Sequence, residues 1–115
     1  MTIILHGIPN CDTVKKARNW LEAQGVAYDF RDYKKQPPTD VELKGWSDVA
    51  GWNILLNKAG TTFRKLPDED KAGLDAAKAI DLMVAHPSLI KRPVVTGAKA
   101  LLVGFKPDQW GAAFA

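Results

Sequence analysis

Residues 1–30 carry the pattern that most restricts the fold of this chain: an apolar run, an amphipathic stretch and an alternating run. Ile3–Leu5 is a short apolar run that predicts a buried strand. Between Cys11 and Gly25, apolar residues recur at spacings of three and four, which predicts a helix. Val26–Phe30 alternates and predicts a second strand. The short crossover favours a right-handed β-α-β unit with parallel strands. The apolar face of the predicted helix comprises Val14, Ala17 and Leu21.

The segment Pro38–Leu66 predicts a small helical insertion. Thr39 lies three residues before Glu42, and this spacing is typical of a capping box that begins a helix near Asp40. Gly51 ends that helix, and a second short helix is predicted from there to residue 60. The segment is too short to hold a core by itself, so we expect one domain over residues 1–115.

The last part of the chain predicts one more helix and then a β-β-α arrangement. Pro67 is suited to the first position of a helix whose apolar stripe ends at Pro87. Pro93–Thr96 and Ala100–Val103 predict two strands joined by a hairpin turn. Pro107 begins a short terminal helix. The predicted fold class is therefore α/β.

Composition narrows the classes of function. The chain has 115 residues, 46% of them hydrophobic and 25% charged, as is ordinary for a globular protein. It contains no apolar stretch of the roughly 20 residues that span a bilayer and no basic leader, so we expect a cytosolic protein without a membrane partner. The net charge of +3 favours small anionic partners over nucleic acid. With one cysteine and two distant histidines, we expect neither an internal disulfide nor a metal site.

Cys11 is the candidate nucleophile. A cysteine in the first turn of a helix faces unpaired N–H groups and the positive end of the helix dipole, and both favour the thiolate. Lys15 lies one turn further along, so we expect its ammonium group to lean back toward the sulfur. Asp12 opposes this effect with a negative charge, or instead caps the helix. The alternative is that Cys11 is a small buried side chain, which is common for cysteine.

Arg92, followed by Pro93, is the second candidate. Proline is tolerated at the first residue of a strand, and a cis bond there would hold Arg92 in a fixed turn at the end of the sheet. The planar guanidinium group binds a carboxylate or an oxyanion through two parallel hydrogen bonds. The alternative is that Arg92 and its neighbour Lys91 are solvated charges, and for Lys91 we favour that interpretation.

Three segments, taken together, resemble one known family. "GIPNCDTVKKARNWLE", "GTTFRKL" and "HPSLIKRPVV" resemble, in that order, the ArsC-related family of arsenate reductases, Spx-type regulators and YffB-like proteins. The resemblance is closest to the YffB-like members and covers essentially the whole chain. It implies a thioredoxin-like fold, β-α-β and then β-β-α, with an all-helical insertion. It also implies a cis peptide bond before Pro93 and a nucleophile at Cys11.

The chain departs from two branches of that family. Arsenate reductases resemble it at Cys11 and Arg92, but they carry arginines where Lys15 and Asn57 stand here, and one more in the last hairpin, where this chain has "LLVGF". An oxyanion held by several guanidinium groups would lose most of its bidentate contacts. Spx-type proteins use a Cys-x-x-Cys switch, and Val14 replaces its second cysteine here.

We therefore predict a glutathione-dependent monothiol reductase in which Cys11 is the catalytic thiolate and an external thiol resolves its mixed disulfide. Glutathione, or another small thiol, is the expected co-substrate and partner, and no bound cofactor is expected. Two alternatives stay open: a reductase of arsenate or another oxyanion, and a non-enzymatic, Spx-like module that binds a protein partner. The residues predicted to bind glutathione are Asn10, Asp12, Lys15, Arg92 and Pro93.

Overall fold

The computed structural model describes residues 2–114, which form a mixed α/β fold. No helix among these residues is long and apolar enough to cross a membrane. A 3-10 turn, Pro87–Leu89, lies between the last helix before the hairpin and the first strand of the hairpin. The other elements, in chain order, are β1 (Ile4–Gly7), α1 (Asp12–Ala23), β2 (Asp29–Asp32), α2 (Asp40–Ala50), α3 (Trp52–Leu55), α4 (Thr61–Arg64), α5 (Asp68–Lys71), α6 (Ala76–Ala85), β3 (Val94–Thr96), β4 (Leu102–Val103) and α7 (Pro107–Ala113).

The four strands form one sheet in the order β2-β1-β3-β4. β1 and β2 are parallel, with Gly7 opposite Asp32. β3 is antiparallel to β1, with His6 opposite Val94, and β4 is antiparallel to β3. The predicted parallel β-α-β unit and the predicted hairpin are both confirmed. The hairpin turn requires glycine at its start, because Gly97 has φ +90° and a Cβ there would collide with the carbonyl group of Thr2.

α1 packs its predicted apolar face onto the sheet. Val14, Ala17 and Leu21 are fully buried beside Leu5 of β1. The approach is close, because a Cβ built on Gly7 would lie 2.9 Å from Cγ2 of Val14. The apolar residues around this contact form one core with β3, β4 and α7. This core holds α1, and therefore the start of α1, in a fixed position relative to the sheet.

α7 completes that core with a buried tryptophan. Trp110 is fully buried, and its indole N–H donates to the carbonyl oxygen of Gly104 at 3.1 Å. Trp20, Phe105 and Phe114 surround it with ring centroids 5.7, 4.9 and 6.1 Å away. The predicted terminal helix from Pro107 is confirmed.

Two strand predictions need correction in their bounds. β2 is Asp29–Asp32 rather than Val26–Phe30, since the backbone of Val26 still bonds to α1 (its N–H donates to Leu21 O at 3.0 Å). β4 covers only the last two residues of the predicted run Ala100–Val103. In both places the pairing partner, rather than the apolar pattern, sets where the strand begins.

The single helix predicted from Pro67 is wrong, because the structure has two helices there. α5 is one turn that ends before Gly73, which has φ +60°, a conformation that favours glycine and interrupts a helix. α6 then starts anew after Asp75, whose carboxylate accepts from Lys78 N–H at 2.8 Å as an N-cap. The predicted helix after Gly51 is likewise shorter, ending at Leu55, and the single turn α4 was not predicted.

The described residues fall into two compact units. The sheet unit runs up to Gln36 and resumes at Arg92, and the helical unit is Pro37–Lys91. The predicted insertion Pro38–Leu66 lies within the helical unit, which continues beyond it to include α6. The capping box at Thr39 and Glu42 is present, with both reciprocal bonds, as predicted.

Candidate active site around Cys11

Three chain segments converge at one edge of the sheet. Because β1 and β2 are parallel, both end at this edge, and because β3 is antiparallel to β1, it begins there. The loop after β1 carries Cys11, and the residues immediately before β3 are Arg92 and Pro93. The topology of the sheet therefore brings together two candidates that are far apart in sequence.

Cys11 is the N-cap residue of α1. Its backbone is extended, with φ −100° and ψ 125°, and its carbonyl accepts the first helical bond, from Lys15 N–H at 2.9 Å. The helix itself begins at Asp12, so Cys11 precedes the first turn by one residue and Asp12 is not the cap. The thiol is free and partly exposed. Cys11 is thus partly buried, and it packs against the margin of the core of the sheet unit.

The environment lowers the pKa of Cys11. Partial burial acts in the opposite direction and is the largest single effect, because it disfavours the charged thiolate. The N–H of Val14, a hydrogen bond from the Arg92 side chain, the N–H of Thr13 and the positive charge of Arg92 together outweigh it and lower the pKa. The Cys11 side chain does not form a capping hydrogen bond in α1. The N–H groups of Val14 and Thr13 lower the pKa because they favour the charged thiolate over the neutral thiol.

Arg92 and Pro93 form the other side of the site. The peptide bond between them is cis, as the family resemblance implied. Pro93 is buried, and its carbonyl accepts from Gly104 N–H at 2.8 Å, which ties the start of β3 to the loop after β4. Arg92 is half-buried, and its guanidinium group donates to the sulfur of Cys11. This arrangement positions the guanidinium group of Arg92 against the Cys11 sulfur.

The remaining predicted site residues lie on the surface around Cys11. Asn10 and Asp12 flank it in the chain, and Lys15 is one turn along α1, all three exposed. We expected the ammonium group of Lys15 to stabilise the thiolate, but the cation that lowers the pKa of Cys11 is Arg92. Arg92 has the larger effect although Lys15 is nearer in sequence. The guanidinium group of Arg92 is half-buried beside the sulfur, whereas the ammonium group of Lys15 is exposed and its charge is screened by solvent.

A cleft next to the Cys11 loop was missed in the sequence analysis. We call it the Arg18 cleft; its volume is about 520 Å³, within the range of small-molecule sites. The signal in the sequence was the position of Arg18, seven residues after Cys11 and so on the same face of α1. The cleft belongs entirely to the sheet unit. Its lining residues are Pro9, Arg18, Phe30, Asp32, Lys35 and Gln36.

Histidine, cysteine and carboxylate side chains do not gather into a metal-binding group anywhere in residues 2–114. Cys11, partly exposed and beside the Arg92 side chain, can support thiolate chemistry. A thiolate beside a fixed cation can attack a disulfide sulfur, or another electrophilic atom whose leaving group departs as an anion.

The model of the ArsC family matches residues 6–113 of this chain. Among solved structures, a YffB protein is 55% identical, with a TM-score of 0.95 over 99% of this chain and 100% of that one. An arsenate reductase (ArsC) related protein from Brucella melitensis is 50% identical, with a TM-score of 0.77 over 97% and 93%. These similarities identify the four-stranded architecture as thioredoxin-like.

Two curated relatives extend the comparison in sequence. An uncharacterized protein of Haemophilus influenzae is 37% identical over 98% of this chain and 99% of its own length. The global transcriptional regulator Spx of Listeria innocua is 28% identical over 93% of this chain and 82% of its own length. Reductase-related proteins and a regulator therefore share this architecture, and the side chains at the site must decide between the two kinds of function.

Proposed function

Because this chain belongs to the ArsC family, we propose that it is a glutathione-dependent monothiol reductase that uses Cys11 as its nucleophile. The observation that carries the proposal is the lowered pKa of a partly exposed Cys11 that accepts a hydrogen bond from Arg92. A lowered pKa raises the fraction of thiolate at any given pH, and partial exposure admits a substrate. The sequence contains a single cysteine, so the second thiol of the reaction comes from another molecule.

The reaction proceeds by two exchanges. In the first, the Cys11 thiolate attacks the glutathione sulfur of a mixed disulfide R–S–S–G, forming a Cys11–glutathione disulfide and releasing RS⁻, which takes a proton from solvent. In the second, the thiolate of another glutathione attacks the glutathione sulfur bound to Cys11, releasing oxidised glutathione and restoring the Cys11 thiolate. The net result is that R–S–S–G and one glutathione give RSH and one oxidised glutathione, the external glutathione being the reductant.

Glutathione has complementary features for the residues around Cys11. Arg92 and Lys15 supply cations for its carboxylates, and the exposed carboxylate of Asp12 suits its ammonium group. Asn10 adds an exposed amide in the same loop. The main chain beside the buried Pro93 offers hydrogen bonds to the extended tripeptide, in the manner of an added strand. Such a reaction needs a compartment that keeps thiols reduced, so we place the protein in the cytosol.

The two other candidate functions receive less support from the side chains. Arsenate reduction would need several guanidinium groups around the oxyanion, and Asn57 and Lys15 stand where arsenate reductases carry two of theirs. A switch by an internal disulfide would need a second cysteine three residues after Cys11, where this chain has the fully buried Val14. Neither branch of the family therefore matches the residues as well as glutathione chemistry does.

The proposal is tested by turnover and by mass spectrometry. The wild-type protein is incubated with the mixed disulfide of glutathione and 2-mercaptoethanol, and the oxidised glutathione formed is measured with glutathione reductase and NADPH. We expect turnover, a glutathionyl adduct on Cys11 when reduced glutathione is omitted, and loss of both in Cys11→Ser. Lys99→Gln is the control, because it removes a cation from the hairpin turn at the end of β3 away from Pro93. We expect this variant to retain both turnover and the glutathionyl adduct.

Parallel assays distinguish the alternatives. Activity retained in Cys11→Ser, or the absence of any adduct, would contradict the proposal. Arsenate turnover that depends on Arg92 would instead indicate an oxyanion reductase. A protein inert toward glutathione disulfides and arsenate alike would favour an interaction module of the Spx kind.

A further inference from the structure

The Arg18 cleft has features of a built anion subsite. Arg18 is seven residues after Cys11, on the same face of α1, and helical side chains lean toward the helix N-terminus. Its guanidinium carbon lies 4.4 Å from the ring centroid of Phe30, and its Nε donates to the Tyr28 hydroxyl at 3.0 Å. Stacking and this hydrogen bond hold the guanidinium plane in place, so that little freedom is lost when its terminal nitrogens bind a ligand.

The turn after β2 provides the second cation on a fixed backbone. The N–H groups of Lys35 and Gln36 donate to the carbonyl of Asp32 at 3.1 and 2.8 Å. The acidic side chain of Asp32 accepts from Lys34 N–H at 2.9 Å and is therefore engaged within the turn. The lining contains two cationic side chains, Arg18 and Lys35, and one carboxylate, Asp32, so its net charge is positive.

The strand order puts this cleft and Pro93 on opposite sides of the nucleophile. β1, which leads into Cys11, lies between β2 and β3 in the sheet. The Arg18 cleft is built on β2, while Pro93 precedes β3. Pro9 lines the cleft and is two residues from Cys11, so their Cα atoms are at most about 7.6 Å apart. A mixed disulfide has two halves, and glutathione on the Pro93 side leaves the other half facing the cleft.

We propose that the Arg18 cleft binds a carboxylate on the half of the mixed disulfide that leaves, and so makes acidic thiols the preferred products of the reaction. This inference rests on the proposed function, because it assigns the second half of the same substrate. The terminal nitrogens of Arg18 donate hydrogen bonds to the carboxylate, and Lys35 adds a second positive charge. The thiol released in the first exchange then carries a carboxylate several bonds from its sulfur.

The test compares two substrates that differ only in charge. They are the mixed disulfides of glutathione with 6-mercaptohexanoate and with 6-mercaptohexanamide, whose thiols are far enough from the end group to react alike. We expect kcat/KM to be about tenfold higher for the carboxylate, as for a hydrogen-bonded ion pair in an open cleft. This ratio falls toward one in Arg18→Gln and by a smaller factor in Lys35→Gln, and it is unchanged in Lys99→Gln.

A binding measurement keeps the inference separate from turnover. Wild-type protein labelled with ¹⁵N is titrated with S-methyl-6-mercaptohexanoate, which cannot react, and with its amide. The carboxylate should shift the backbone signals of Lys35 and Gln36 more than the amide does, and Arg18→Gln should remove the difference. Equal shifts by the two compounds, or a substrate ratio that survives both substitutions, would overturn the subsite while leaving the proposed function intact. Selective shifts without turnover of either disulfide would uphold a carboxylate site in the Arg18 cleft, but would refute the proposed function and, with it, the assignment of that site to the leaving half.

Discussion

The protonation of Cys11 results from opposing effects at one sulfur atom. Burial raises the pKa, whereas the N–H groups of Val14 and Thr13, the hydrogen bond from Arg92 and its charge lower it by more. The N–H groups belong to the start of α1 and come with the local sequence. The contribution of Arg92 can be removed by substitution without changing α1, because Arg92 lies outside that helix.

Replacing Arg92 should make Cys11 less acidic. In Arg92→Gln the burial effect is opposed by the N–H groups alone, so we expect the pKa of Cys11 to rise toward its ordinary value. The rate of alkylation by iodoacetamide, followed against pH, gives that pKa directly. Lys15→Gln is the matched control, and we expect it to move the midpoint less; a larger shift in Lys15→Gln than in Arg92→Gln would refute the assignment of the cation.

At the scale of the elements, the contact between β1 and α1 determines where Cys11 sits. Gly7 is the last residue of β1, and Val14 is on the buried face of α1. A Cβ at residue 7 would approach Val14 Cγ2 to 2.9 Å, closer than carbon atoms pack in proteins. The start of α1 is therefore set by the absence of a side chain on the strand beneath it.

Adding one methyl group at this contact should destabilise the fold. We expect Gly7→Ala to lower the free energy of unfolding by about 1–3 kcal/mol, because α1 must shift or Val14 must leave its rotamer. Urea denaturation followed by tryptophan fluorescence measures the change. Gly45→Ala is the control: residue 45 is exposed within α2 with nothing within 4 Å, so alanine should raise stability by up to about 1 kcal/mol. Equal midpoints for the two variants would contradict the packing argument.

At the scale of the whole molecule, the charge of Cys11 is linked to the stability of the fold. A thiol whose pKa is lower in the folded than in the unfolded chain binds fewer protons when folded, so its contribution to stability increases with pH. That contribution is complete above the unfolded value of about 8.5 and is lost as the pH falls through the folded pKa.

This linkage is measurable as a difference between two proteins. We expect the free energy of unfolding of the wild type, minus that of Cys11→Ser, to increase with pH up to about 8.5 and then to level off. Denaturant titrations at a series of pH values give this difference, in which the titration of the other groups largely cancels. A difference that is constant with pH would show that the folded and unfolded chains hold the Cys11 proton equally well.

Local physical chemistry is enough to predict much of this protein from sequence alone. The helical spacing of Val14, Ala17 and Leu21 predicts the buried face of α1 correctly, because a helix must bury its apolar stripe. The capping box at Thr39 also follows from neighbouring residues, whereas Cys11, predicted in the first turn of α1, lies one residue before it as the N-cap. The family was recognisable from three short segments and is confirmed by the match over residues 6–113.

Tertiary structure decided the features that depend on residues far apart in the chain. The bounds of β2 follow from its register with β1, and the division between α5 and α6 follows from Gly73 and a new N-cap at Asp75. The cation at Cys11 is Arg92 rather than the nearby Lys15, since the sheet topology returns the chain to that edge. The sequence by itself therefore identified Cys11 as the candidate nucleophile at the start of α1, because that position depends on contacts within one turn. Its electrostatic partner and the cleft beside it depend on how strands pair, which only the folded chain decides.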